Sequence, residues 1–405
     1  MKKIISFICF VTYSQIFCSN PLVLEKATDG AISSRQREVE QLNIVDDILD
    51  NSQRKSGVVW RPFKEGEGDI KGIVLHYTVT QTYELTKRAY YNAGVSAHYT
   101  INFNGVIFKN VPDGAIAFHA GASGFDGNIS LNRFYVGIEQ VHPGYVEKGK
   151  EYTGVWSNTR VRHCPGDDTI LWFEFFKEQY EATGKLVRQL QLTYRIYGRF
   201  VITHADAAPG RKFDAGPMFP YRLVFEKFKA GYYPSFDNVE RYTPLLSSLQ
   251  YEDFLGLLGV YGYDFLLPTR YLKDYEEKMK IYEAEKEIYE KDKEGKIEPK
   301  KPRMPNVPKQ EGYEKLVLGS FRLHFCSDLE TLKLLSRFGS VSELHSGELS
   351  NLEKMVILSL TLSYYNYKDE QLGYDMPFRE KLETFAHDSA REARMVEFIS
   401  LLGSN

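Results

Sequence analysis

The run Gly72-Ile73-Val74-Leu75-His76-Tyr77-Thr78 constrains the fold of this chain most, because it is a short, continuous apolar stretch of the kind that forms a fully buried strand. A strand buried on both faces needs a sheet with layers packed against it. His76 emerges at its C-terminal end. A second β-prone segment, Phe200-Val201-Ile202, runs into the Pro/Gly-punctuated stretch Thr203 to Pro217, which carries His204, Lys212 and Asp214. His204 and Asp214 are too far apart for one helix face, but a rigid loop can fold back and present both to a single ion. With His76 as third ligand, two imidazoles and one carboxylate leave the fourth tetrahedral position for water, as in catalytic zinc sites.

The chain resembles the zinc-dependent N-acetylmuramoyl-L-alanine amidases of the AmpD/AmiD type, whose core resembles that of the peptidoglycan recognition proteins. The resemblance covers roughly residues 56 to 235 and rests on blocks in family order. These are Ile73-Val74-Leu75-His76-Tyr77-Thr78, Ser96-Ala97-His98-Tyr99-Thr100-Ile101, Phe118-His119-Ala120-Gly121, Ser130-Leu131-Asn132, Val136-Gly137-Ile138-Glu139 and the His204 to Pro217 loop. It implies one Zn2+ bound by His76, His204 and Asp214, proton handling by Glu139 and transition-state support from Lys212. It also implies that His98, His119 and Asn132 line the substrate cleft, and that the substrate is peptidoglycan or a muropeptide, cut between N-acetylmuramic acid and L-alanine.

Chemistry gives independent reasons for these residue types. An amide is a poor electrophile, and a metal both polarises its carbonyl and lowers the pKa of water. Glu139 ends the strand pattern Tyr135-Val136-Gly137-Ile138-Glu139, where a carboxylate can accept a proton and pass it to the leaving amine. Lys212 lies two residues before Asp214, so in extended backbone both side chains point the same way and the ammonium can stabilise an oxyanion. A lone Glu at a strand end is more commonly a solvated residue, and only the flanking block favours catalysis. His142 and His163 fall outside every block and read as non-ligands.

Composition narrows the class. A net charge of −3 over 405 residues offers no basic excess for binding nucleic acid. Met1-Lys2-Lys3 followed by apolar Ile4 to Phe17 reads as an export signal (1–18), with cleavage near Cys18 or Ser19 and a periplasmic or secreted destination. Lipidation of Cys18 is the alternative and would anchor the chain to an outer membrane, although Gln15-Ile16-Phe17 is a poor lipobox. Cys164 and Cys326 have no metal or redox spacing.

The expected architecture is α/β: a mixed central β-sheet flanked by helices, the peptidoglycan recognition protein-like amidase fold, followed by an α-helical C-terminal region. Residues 19–55 read as a polar tether with one short helix, and 56–235 as the catalytic domain. Asn104-Gly105 marks a hairpin between Thr100–Phe103 and Val106–Lys109. Val141 to Thr169 reads as a long irregular excursion bordering the groove, and residues 171 to 197 as a helix. Residues 244–338 resemble, in two halves, a small helical peptidoglycan-binding domain, interrupted by a charged insertion at 270–308. Within it, helix 270–295 carries Tyr275, Tyr282 and Tyr289 every seven residues and reads as a solvated helix or as a partner-binding or dimerising arm. The tail 339–405 reads as further helical packing of unknown role. On this division a chain ending near Tyr233 stays active on small substrates and loses only its hold on the wall. Two other functions stand beside the amidase: a non-catalytic peptidoglycan-binding protein, and a zinc hydrolase of another amide.

Overall fold

The computed structural model describes residues 42–54, 58–64, 68–293 and 297–402. The proposed leader, Cys18 and most of the proposed tether lie outside them. In chain order the strands are β1 (Ile44–Asp46), β2 (Trp60–Pro62), β3 (Gly72–Tyr77), β4 (Tyr99–Ile101), β5 (Ile107–Lys109) and β6 (Ala115–Ala117). After them come β7 (Gly124–Phe125), β8 (Asn128–Ile129), β9 (Tyr135–Gln140), β10 (Val161–Cys164), β11 (Asp167–Phe173) and β12 (Val201–Thr203). The main sheet has the order β1-β5-β4-β9-β3-β12 and is parallel except between β5 and β4. That antiparallel pair is the hairpin expected around Asn104-Gly105, and Gly105 takes a left-handed φ of 82° in its turn.

All six residues of β3 are buried, as its unbroken apolar run requires. Helices close both faces. On the face that carries His76 and Glu139, α1 (Tyr83–Ala93) sends the Tyr90 hydroxyl to within 2.7 Å of Thr100 Oγ1, and Thr100 pairs in register with Glu139. On the opposite face, Leu75 of β3 lines one small cavity with Thr183 and Val187 of α2 (Lys177–Tyr194) and, beyond the one-turn α3 (His204–Ala207), Val224 of α4 (Tyr221–Phe228).

Three local expectations change. The end of the proposed tether is strand and not helix: Ile44–Asp46 pairs with Ile107–Lys109, and this long-range pairing outweighs a helical pattern only a few residues long. Val141 to Thr169 is not irregular throughout, because β10 and β11 form an antiparallel hairpin turning at Pro165-Gly166. The helix after it therefore starts at Lys177, since residues 171 to 173 belong to β11 and bury Trp172 beside Tyr77 and Tyr145.

The C-terminal helices are α5 (Leu245–Ser248), α6 (Tyr251–Tyr261), α7 (Leu267–Lys291), α8 (Tyr313–Phe325), α9 (Leu329–Leu335), α10 (Asn351–Asn366), α11 (Met376–Ala386) and α12 (Glu392–Leu402). α10 is buried on all sides, as its run Met355 to Leu362 dictates, and a Ser350/Glu353 capping box starts it. α7 is docked only at its base, where the Tyr271 hydroxyl accepts from the Ser123 and Ser130 amides at 2.9 and 3.0 Å. Further along, Ile281 and Ile288 are about 60% exposed.

A single hydrophobic core runs from Ile73 and Val136 in the sheet through Tyr232 and Tyr233 to Tyr261, Phe321, Phe325, Val356 and Phe398. Ion pairs cross the same boundary. Arg199, preceding β12, is 1% exposed and donates from Nε to Asp375 at 2.7 Å, and Arg188 of α2 reaches Asp369 at 2.7 Å. Residues 56–235, 244–338 and 339–402 thus share one interior. A chain ending near Tyr233 takes Asp375 from Arg199, leaving it Asp126, and bares a large apolar surface. The expected outcome is aggregation or loss of the cooperative unfolding transition, not a soluble active fragment. Calorimetry of the truncated and full chains checks it.

Candidate metal centre

His76 and Asp214 lie 138 residues apart in sequence and touch in space. β12 lies parallel to β3 with Thr203 opposite Leu75, so the next residue of each strand, His204 and His76, opens on the same sheet edge. There the chain turns into α3, capped by the Thr203 hydroxyl. The loop beyond α3 folds back, and the Ala205 amide donates to the Asp214 carbonyl at 2.7 Å, which sets Asp214 beside His204.

The three donor atoms form a small triangle. His76 Nδ1 to His204 Nδ1 is 2.9 Å, His76 Nδ1 to Asp214 Oδ2 is 3.0 Å and His204 Nδ1 to Asp214 Oδ2 is 2.8 Å. All three residues are buried. Among the described residues they are the one cluster of His, Cys, Asp and Glu side chains able to hold a metal ion.

Hydrogen bonds behind the triangle decide where its lone pairs point. His204 Nε2 faces the Ala120 carbonyl at 3.2 Å and must donate to it, which leaves Nδ1 unprotonated. His119 Nε2 likewise donates to the Tyr135 carbonyl at 3.0 Å, so its Nδ1 is an acceptor. That acceptor lies 3.0 Å from His76 Nε2, which donates to it and leaves His76 Nδ1 unprotonated as well. The Ala120 carbonyl directly, and the Tyr135 carbonyl through His119, therefore turn the Nδ1 lone pairs of His204 and His76 toward the centre. Burial, with the neighbouring His204 charge second, holds the His76 imidazole down to about 4, and burial lowers His204 likewise. The carboxyl of Asp214 sits below its usual range despite burial, because His204 and His76 face it.

Glu139 is level with His76 on the adjacent parallel strand, so their side chains share a face about 5 Å apart by strand spacing. Its Oε2 is buried and has no hydrogen-bond partner. Burial, then the nearby Asp214 charge, raises its pKa well above the ordinary range, while Lys212 opposes that rise. Lys212 is partly buried, and its charge reaches Glu139, His76 and His204.

His98 and His119, expected in the substrate cleft, are largely buried. They are 2% and 9% exposed and stand behind the donor triangle. His98 accepts the Gly137 amide at Nδ1 and donates to the Ala115 carbonyl from Nε2. Asn132 Oδ1 accepts the amides of His119 and Ala120 at 3.0 and 2.7 Å, so it fixes the strip that orients both imidazole ligands. His142 stacks on Phe175 at 3.9 Å, while His163 is exposed.

Room for His119 comes from Gly137, where a Cβ would lie 2.5 Å from its Cγ. Gly137→Ala is expected to displace His119, costing about 1–3 kcal/mol from overpacking and weakening metal binding. Urea unfolding and metal titration of that variant check both effects.

Acid should destabilise this interior. His76, His98, His119, His142 and His204 are all buried with lowered pKa values, burial being the first cause in each. An unfolded chain protonates these imidazoles near 6.5 and the folded one resists, so stability is full above that pH and declines as pH falls toward about 4, where His76 titrates in the fold too. The decline is at most about 1.4 kcal/mol per pH unit for each imidazole. Urea midpoints at pH 7 and pH 5 in chelator measure it.

Sequence reasoning overlooked Asp206. Thr203-His204-Ala205-Asp206 is a capping box, with the carboxylate accepting the Thr203 amide at 2.9 Å, and that motif is readable from sequence. Its remaining partners, Tyr263 and His324, come from beyond residue 250 and no local pattern announces them.

Residues 66–217 match the family model described as N-acetylmuramoyl-L-alanine amidase. These residues belong to that amidase family. The site geometry lies inside the matched segment. Among its relatives, the chain is 29% identical over 210 residues to N-acetylmuramoyl-L-alanine amidase AmiD of Escherichia coli, covering 48% of this chain and 67% of that one. It is 30% identical over 127 residues to 1,6-anhydro-N-acetylmuramyl-L-alanine amidase AmpD of the same organism, covering 31% of this chain and 55% of AmpD, little more than half its length. A solved complex of E. coli AmiD with anhydro-N-acetylmuramic acid-L-Ala-D-gamma-Glu-L-Lys aligns over 74% of this chain and 91% of that one, at 22% identity and a TM-score of 0.47.

Proposed function

We propose that the amidase domain hydrolyses the amide between N-acetylmuramic acid and L-alanine in peptidoglycan or muropeptides, at a single zinc held by His76 Nδ1, His204 Nδ1 and Asp214 Oδ2. The observation that carries this reading is the chain of fixed tautomers, which turns two imidazole lone pairs and one carboxylate oxygen onto a common point. Zinc bound there supplies carbonyl polarisation and a lowered pKa for water. Glu139, with Oε2 unpartnered and its pKa raised, takes the proton of the attacking water and returns it to the departing nitrogen of L-alanine. Lys212 steadies the oxyanion with its ammonium. The β10–β11 hairpin, packed against Tyr77 next to His76, is positioned to border the substrate.

The region 244–338 supports retention on wall material through its resemblance to a binding domain. The exposed length of α7 offers a surface to a protein partner. Export follows from the leader pattern at 1–18, and membrane attachment follows only if Cys18 carries lipid. Among the described residues no helix is long and apolar enough to cross a membrane.

Digestion of purified peptidoglycan with and without chelator tests the central assignment. Mass spectrometry should find released peptides beginning in L-alanine only where metal is available. Cleavage at another bond, or equal cleavage in chelator, would overturn it.

A further inference from the structure

α3 is one turn long, and a helix that short does not hold itself together. Yet it carries a proposed metal ligand, His204, at its first position. What holds it comes largely from the C-terminal helices. Asp206, 1% exposed, uses both carboxylate oxygens: Oδ2 accepts from the Thr203 amide and hydroxyl at 2.9 and 2.8 Å and from His324 Nδ1 at 2.7 Å, and Oδ1 accepts from the Tyr263 hydroxyl at 2.7 Å. Only the Thr203 contacts are local.

The same helix makes two more contacts at helical spacing. Leu316, Ser320 and His324 lie on one face of α8 and address the loop in order. Leu316 packs so closely on Gly210 that a Cβ there would lie 2.4 Å from it. The Ser320 hydroxyl donates to the Ala205 carbonyl at 2.8 Å. His324 itself is fixed, stacked on Phe325 at 3.9 Å and set against Tyr221 at 4.3 Å. From the other side the turn is held by the Ala120 carbonyl on His204 Nε2, and Arg211 ties the loop to the Ala120 and Ala122 carbonyls.

We propose that His324 and Tyr263 are positioning residues for the metal centre, holding the His204 turn through Asp206, so that the C-terminal helical region sets metal affinity as well as packing. The proposal rests on the metal-site reading above. Without His324, Asp206 is a buried carboxylate short of one partner, and the turn relaxes toward other donors. His204 Nδ1 moves with it, and a three-donor site tolerates displacements of only about 0.5 Å. Outer-shell partners of metal ligands typically carry about 10–100-fold in affinity.

The test is a Zn2+ competition titration against a chromophoric chelator, with the Co2+ visible spectrum as a second readout and melting in excess chelator as the control for folding. His324→Leu is expected to weaken Zn2+ binding by about 10–100-fold and alter the Co2+ bands. His324→Asn, whose amide nitrogen occupies the place of Nδ1, should restore affinity to within a few-fold. Tyr263→Phe removes one oxygen, keeps the ring, and should weaken binding in the same direction; it decides the matter should His324→Leu fail to fold. Wild-type affinity in Tyr263→Phe together with any folded His324→Leu overturns the positioning role, as do variants that melt earlier while keeping wild-type affinity and spectrum. No Zn2+ uptake by the unaltered protein would instead overturn the metal-site reading, and this proposal with it.

Discussion

His204→Ala is expected to abolish stoichiometric zinc and to lower turnover on muropeptides by about 10³-fold, since polarisation by a metal is worth several kcal/mol and each 1.4 kcal/mol is tenfold in rate. The variant removes Nδ1 from a triangle whose edges are 2.8 to 3.0 Å, leaving His76 and Asp214 as the remaining donors. It also removes one of the two donors to the Ala120 carbonyl, leaving Arg211. Metal analysis and kinetics on the same sample should fall together. The appropriate control is the exposed His163, because the buried, stacked His142 would confuse lost stability with lost metal. Full zinc occupancy in His204→Ala would sink the ligand assignment.

Glu139→Gln is expected to keep zinc and fold while losing about 10²–10⁴ in kcat, the usual weight of a positioned proton carrier. The substitution is nearly isosteric, and Oε2 has no hydrogen-bond partner to lose, so a structural effect should be small. Burial and the Asp214 charge hold the Glu139 carboxyl well above the ordinary range, which is the direction a base working near neutral pH needs. Bound zinc would oppose that rise, so wherever the acid limb of the rate profile lies, it should vanish in Glu139→Gln. A variant with near-normal kcat and the same acid limb would reduce Glu139 to a structural role.

The catalytic half was legible because its signals are local. An unbroken apolar run gave β3, Asn104-Gly105 gave the β4–β5 turn, and the spacing of His204, Lys212 and Asp214 on a Pro/Gly-rich loop suggested a folded-back pair of donors. The same apolar run put His76 at its end, and the family blocks favoured Glu139. Where the sequence misled, a short helical pattern was overruled by distant pairing, β1 against β5, and a local hairpin, β10 against β11, formed inside a stretch rich in glycine that reads as irregular.

What sequence determined is the inventory: which strands are buried, which loop carries the donors, and which residue types can hold zinc and move protons. Only the tertiary structure decided how those donors are aimed. The tautomer of His76 depends on His119, that of His119 on the Tyr135 carbonyl, and the fit of His119 on the missing Cβ of Gly137. How the C-terminal residues meet the His204 turn was decided there too, because Asp206 finds Tyr263 and His324 across 57 and 118 residues. A hydrogen bond is specified by angles and tenths of an ångström between groups that sequence separation does not encode, so such contacts exist only once the whole core has packed.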